Sequence, residues 1–336
     1  MTTLLRIVLF TALAVLALVP VSAAPSAPDP QTLLAIRTDT PPTLDGQVEA
    51  LWDQASVLTV PVSGGANAGH HTVTLQALYT ADRLYILARW DDPTLSDRRF
   101  PWVKQQDGTW IKLQTNTQGD ENVYYEDKFS IIWDINITGF QTAGCFTTCH
   151  AGEPNKPYGN KYTPNEGELG DIWHWKLART GPVDQADDQY VNADRWVPDR
   201  PEAGRHSDPK ESGGYTDNSN AEKTAPAFTS PTQPAPPYSI LDAEKVPFAD
   251  TYAPGDEIAG IIVATIVGDR GDVSGVDLYQ DGMWTLEMSR ALVTGSQFDV
   301  QWDDLGKTYY FGPAVFDNAQ VRHSFAFQAY KLVFAQ

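Results

Sequence analysis

Two cysteines and a histidine carry the most specific chemistry in this chain. Cys145 and Cys149 are its only cysteines, and His150 follows the second directly, in Gly144-Cys145-Phe146-Thr147-Thr148-Cys149-His150. Two thiols and an adjoining imidazole are what attachment of a c-type haem requires. The sulfurs form thioether bonds with the porphyrin vinyl groups, and the histidine reaches the iron. The usual spacer has two residues; here it has three, and a bulged loop still lets the sulfurs span both vinyls. The expectation is one covalent haem c on Cys145, Cys149 and His150. A disulfide is the competing reading. It would close a very small loop, restrict few unfolded conformations and leave His150 unexplained. A metal site on the same three residues lacks a second ligand cluster of zinc-like spacing.

A haem used for electron transfer has two axial ligands, drawn from a short list of residue types. His174 is the favoured partner for His150, because Trp173 and Trp175 flank it and would wall a large apolar plate. The competing reading is a partly exposed histidine bonded to the neighbouring strand. Met288 shares a strand face with Trp284 and Leu286 and reads as core; Met283, at the strand start, reads as edge packing. His70 and His71 read as a solvated loop, His206 lies in a polar run, and His323 opens the last long strand.

The acidic pairs Asp91-Asp92, Asp187-Asp188 and Asp303-Asp304 invite a structural calcium. Calcium needs several converging oxygens, and solvated turns are the simpler expectation for each pair. No Gly-rich phosphate loop, Ser-His-Asp set or Walker-like lysine is present. With 24 basic against 43 acidic residues the net charge is −19. A polyanion repels nucleic acid and anionic lipid, so neither is an expected partner.

The elements that must position these residues read as strands. The chain holds 25 Gly, 24 Pro, 10 Trp, 14 Tyr and 13 Phe, a balance that favours strands and long loops over helices. Residues 1–24 have one charge, Arg6, an apolar run and a Val21-Ser22-Ala23 end, the pattern of a secretory signal peptide. Export to the periplasm or outside the cell, with no stable membrane span after cleavage, is the expectation. A flexible leader at 25–32 precedes one domain at 33–336. Thr72–Tyr79 and Arg83–Trp90 alternate as a hairpin around Ala81-Asp82. Further strands are expected at Glu126–Ile135, Asp171–Ala178, Glu257–Val267, Met283–Arg290, Lys307–Phe316 and His323–Phe334. Residues from about 181 to 256 are polar and rich in Pro and Gly, and read as a long insertion. The expected fold is all-β: a two-sheet antiparallel β-sandwich with a loop-rich central insertion.

Short motifs in order along the chain support a family resemblance. They are Leu44-Asp45-Gly46 with Trp52, Leu75–Tyr79 with Leu84-Tyr85-Ile86 and Arg89-Trp90-Asp91-Asp92, and Glu126-Asp127-Lys128. Asp171-Ile172-Trp173-His174-Trp175-Lys176, Trp284-Thr285-Leu286-Glu287 with Arg290, and Val315-Phe316-Asp317-Asn318-Ala319 complete them. Together they resemble the haem-binding family related to the gamma subunit of ethylbenzene dehydrogenase, including its cytochrome c-552 and DMSO-reductase-like members. The resemblance implies a β-sandwich similar to carbohydrate-binding modules, with haem at one end. It also implies electron transfer with a redox partner, such as a molybdenum enzyme of the DMSO-reductase type. The gamma subunits hold haem b through methionine and lysine; by that analogy Lys223 is a lysine candidate, whereas Cys145, Cys149 and His150 imply covalent haem. The functional expectation is thus an exported single-haem c-type cytochrome, acting as a subunit of or carrier for a redox enzyme rather than as a catalyst. The alternative is a carbohydrate- or ligand-binding β-sandwich module in which the cysteine pair is structural.

Overall fold

Alternation of apolar and polar residues sets the main strands, and the hairpin shows how. His70–Tyr79 and Arg83–Asp91 pair antiparallel from Val73↔Trp90 to Tyr79↔Leu84, turning at Ala81-Asp82. The Thr80 hydroxyl accepts a hydrogen bond from Arg83 N (3.2 Å) and closes the turn. The structure is a computed structural model describing residues 29–148, 161–197, 199 and 203–336. The expected signal peptide, the start of the leader, Cys149 and His150 lie outside the described residues. No described helix is long and apolar enough to cross a membrane.

The chain is an antiparallel β-sandwich, as its composition implies. One layer contains Leu58–Ser63, His70–Tyr79, Arg83–Asp91, Met283–Ala291 and Ser274–Gln280 in spatial order. The other contains Tyr309–Phe316, Lys128–Asp134, Gly170–Lys176, Asp187–Val191 and Arg205–Ser207. Hydrogen bonding does not stop between them. Ser324–Phe325 joins the layers on one path, and the parallel pair Thr32–Arg37 and Tyr330–Phe334 joins them on another, giving 13 strands in one folded-over sheet. Facing aromatics fill the space between. Trp90 stacks on Phe129 with ring centroids 5.0 Å apart, and Trp175 meets Trp284 edge-on at 5.1 Å. These rings are buried, and each large aromatic contributes heavily to the burial that drives folding.

The last expected strand is two. Ser324–Phe325 and Tyr330–Phe334 both pair with Tyr309–Phe316, and residues 326–329 bulge away opposite Gly312-Pro313. Pro313 has no N–H to give to the ladder; instead its carbonyl accepts from Ala326 N at 3.2 Å. The segment read as an insertion contributes strands of its own. Asp187–Val191 and Arg205–Ser207 extend the main sheet, while Ser212–Asp217 and Ile240–Leu241 flank Ile261–Val267 in a small separate sheet.

Candidate functional site: a cationic cavity on the outer face of one layer

Strand parity builds the site. The alternation that sends Phe129, Ile131 and Trp133 into the core sends Lys128, Ser130 and Ile132 to the opposite face. Register then aligns matching residues of the neighbouring strands. Lys128 faces Lys176 and Phe316, Ser130 faces His174 and Ala314, and Ile132 faces Ile172 and Gly312. Asp187 lies opposite His174 and Gln189 opposite Ile172. These rows floor a cavity of about 640 Å³.

The lining is strongly cationic. Arg99, Lys128, Lys161, Lys176, Arg179, Arg205 and Arg322 all border the cavity, and no carboxylate does among the described residues. Two buried acids brace some of these cations from behind. Asp187 pairs with Lys176 and Arg270, and also accepts hydrogen bonds from the Tyr215 hydroxyl (2.8 Å) and from Gln189 Nε2 (3.1 Å). Burial opposes ionisation of Asp187, but the Lys176 charge and the Arg270 hydrogen bond hold its carboxyl well below the usual range. Glu126 pairs with Arg179 and lies 3.5 Å from Arg99.

Lys128 differs from the rest. It is 2% exposed, yet among the described residues no carboxylate lies within ion-pair distance. Its ammonium donates to the Gln320 carbonyl at 3.0 Å and sits 3.9 Å from the Phe316 ring centroid. Burial, followed by repulsion from Arg179, pushes its pKa well below the ordinary lysine value. His174 is also buried. Its Nδ1 is 3.1 Å from Gln189 Oε1, its ring stacks at 5.2 Å on Phe316, and its Nε2 has no hydrogen-bond partner among the described residues. Burial and the nearby Lys176 push its pKa well below the usual histidine value, so the ring is neutral at neutral pH.

The structure brings two of the sequence-predicted residues to this cavity, Cys145 and His174. Cys149 and His150 lie outside the described residues. Cys145 sits on the 3-10 turn Gly144–Thr147, 4% exposed, in an apolar cluster with Ile132, Phe140 and Ile172. Its sulfur presses on Gly312, where an added Cβ would lie 2.8 Å from it. His323 stands at the rim, 4.6 Å from the Phe316 ring. The remaining residues weighed as axial ligands lie away from the cavity. Met288 is core, Met283 is half-buried at its strand start, Lys223 is exposed, and His206 stacks on Tyr190. His71, expected in a solvated loop, is instead 4% exposed with Nδ1 2.7 Å from the Asp91 carbonyl; its strand begins earlier than the alternation suggested. Lys128, Lys176 and Arg179 are site residues that the sequence motifs do not single out. The signal for Lys128 was its parity, opposite to Phe129 and Trp133.

A family profile described as ethylbenzene dehydrogenase matches residues 49–326. The chain belongs to the ethylbenzene dehydrogenase family. Among solved structures it is similar to a family 9 carbohydrate-binding module from Caldicellulosiruptor kristjanssonii in complex with glucose. That match has 11% identity and a TM-score of 0.36, covering 90% of this chain and 95% of that one. The same module in complex with cellotriose matches with 10% identity and a TM-score of 0.36, covering 91% and 95%. No curated protein matches the chain.

These comparisons correct the functional expectation. The family match is to ethylbenzene dehydrogenase over residues 49–326, so this member of that family is not read as an electron-carrying c-type cytochrome. The physical reason for the misreading is that a spacing motif ranks residues by type alone. The described cysteine of the motif packs as a small apolar side chain in a close-fitting corner.

Proposed function

We propose that this chain is a ligand-binding β-sandwich module whose cavity takes an anionic organic molecule, held through the ligand's own carboxylate groups. Its 640 Å³ volume is of the size that encloses a small organic ligand. The observation that carries the reading is Lys128: a buried cation facing the cavity with a carbonyl and two aromatic rings around it and no described carboxylate. A buried charge without a partner is costly, and an incoming carboxylate supplies one. The Nε2 of His174, without a hydrogen-bond partner among the described residues, adds a polar contact on the same wall. On a chain of net charge −19, a cationic recess focuses the field and draws anions inward.

Calorimetry with a panel of acidic-sugar oligosaccharides, dicarboxylates and aromatic carboxylates tests this. The expected result is binding by at least one carboxylate class, weakened by salt, and weakened about tenfold (about 1.4 kcal/mol) by Lys128→Gln. Glucose and cellotriose serve as neutral controls. Binding of neutral sugars alone, or equal affinity in the Lys128 variant, would overturn it.

A further inference from the structure

We propose that Asp188, Asp208 and Asp299 form a calcium site on the opposite, inner face of the strands that floor the cavity. Ligand atoms of these three carboxylates lie within 4.8 Å of one another, and all three residues are buried. They come from different parts of the chain. Asp188 is on Asp187–Val191, Asp208 directly follows Arg205–Ser207, and Asp299 lies in the connection between Met283–Ala291 and Tyr309–Phe316.

An acidic cluster alone proves nothing, but the hydrogen bonding here is incomplete in a specific way. Asp208 is 3% exposed and neither of its carboxylate oxygens has a hydrogen-bond partner among the described residues. Asp299 is 2% exposed and both of its oxygens also lack one. Buried polar groups in folded proteins are almost always satisfied, and a buried carboxylate needs a counter-charge. Arg290 is the basic side chain at the cluster. Its Nη1 lies 2.7 Å from Asp171, 3.2 Å from Asp188 and 3.6 Å from Asp299, and no described ion pair joins it to Asp208. Asp272 also belongs to this neighbourhood, grouped with Asp299 and Asp269. One guanidinium therefore serves several carboxylates, and the excess is negative.

The donor set selects the ion. The site has carboxylate oxygens, with no histidine or cysteine in the group, which suits a hard cation. Carboxylates from separate segments, able to bind through one or both oxygens, match the flexible coordination of calcium better than the octahedron magnesium demands. A second acidic group, Asp92, Asp127 and Asp317, provides a contrast. Four of its oxygens accept from the backbone N–H groups of Thr94, Ser96, Asn318 and Ala68, and Asp92 Oδ2 is the one fully buried oxygen of the group without a partner among the described residues. The expectation of solvated turns fails for Asp92, Asp187 and Asp188, which are fully buried, and holds for the exposed Asp303 and Asp304.

The test uses the full chain dialysed against EDTA and titrated with calcium. One equivalent should bind by calorimetry and raise the thermal midpoint. Terbium in place of calcium should give luminescence sensitised by Trp173 and Trp302, whose rings lie 5.1 and 4.9 Å from the Arg290 guanidinium carbon, and calcium should quench it. Asp208→Asn and Asp299→Asn should each lower calcium affinity at least tenfold, while Asp317→Asn and the exposed Asp303→Asn leave it unchanged. Failure of calcium to bind or to stabilise the EDTA-treated wild-type chain would overturn the proposal without recourse to any variant. Retention of wild-type affinity by Asp208→Asn would do the same.

Discussion

Two faces of the same strands carry opposite charge. On the outer face, Lys128 and Lys176 lie side by side with His174 one row along, and the acids that brace Lys176 and Arg179 lie outside the cavity lining. On the inner face, Asp171 and Asp188 point toward Arg290, with Asp208 and Asp299 closing in from loops. The strands Gly170–Lys176 and Asp187–Val191 supply residues to both. Alternate residues of a strand point to opposite faces, so a run such as Asp187-Asp188 is split: Asp187 balances lysine and arginine on one side, and Asp188 joins a carboxylate excess on the other. The difference teaches that net charge says little about a site. A chain of −19 builds both an anion-seeking recess and a cation-seeking one by placing its few buried cations.

The largest expected effect comes from Arg290→Met. It removes the guanidinium shared by Asp171, Asp188 and Asp299, and breaking a buried ion pair from one side costs about 3–5 kcal/mol. Urea unfolding of the calcium-free chain measures it. A loss below about 1 kcal/mol, against that expectation, would break the picture of an inner face balanced by this arginine.

Gly312→Ala comes next. Its new Cβ would meet the Cys145 sulfur at 2.8 Å, and overpacking a tight site costs about 1–3 kcal/mol. Pairing it with Cys145→Ala should recover most of the loss in thermal denaturation. No recovery would show that the turn over the cavity end is not held by this contact.

Lys128→Met sharpens the contrast, because it should weaken anion binding while leaving the ligand-free chain as stable or up to about 1 kcal/mol more stable. Clear destabilisation of the ligand-free chain would mean that Lys128 is structural rather than poised for a ligand.

A further test concerns a satisfied carboxylate. Glu121 accepts hydrogen bonds from the Thr115 hydroxyl and from the backbone N–H groups of Asn116, Val123 and Tyr124. Burial would raise its pKa, but these donors hold it down to about 2, from the ordinary 4.5. A carboxyl whose folded pKa is depressed adds stability that is complete above the unfolded value and is lost as pH falls through the folded one. The wild-type chain should therefore lose this contribution between about pH 4.5 and pH 2, and Glu121→Gln should flatten that part of a stability–pH curve. An unchanged curve would show that satisfied and unsatisfied buried carboxylates behave alike here.

How much was legible follows from where hydrophobic alternation survives. Phe129, Ile131 and Trp133 announce a strand because one face meets the core and the other does not. Asp187–Val191 gives no such signal. Asp187 and Gln189 face the cavity side while Asp188 faces Arg290, so both parities are polar although the strand is largely buried. Its sequence is indistinguishable from the loop-rich segment around it. The break at residues 326–329 was hidden as well, because the cause, Pro313, lies on the partner strand.

By itself the sequence determined the β class, the aromatic layers between the sheets, the family, and the shared parity of His174 and Lys176. Each of these is local: a period of two, a composition, an ordered set of short motifs. Only the tertiary structure decided that Lys128 would be buried without a described carboxylate beside it, that Cys145 would fill a corner against Gly312, and that Asp188, Asp208 and Asp299 would converge. These depend on pairing between distant segments, and the free energy of a buried charge is set by the neighbours that pairing brings, which no local pattern encodes.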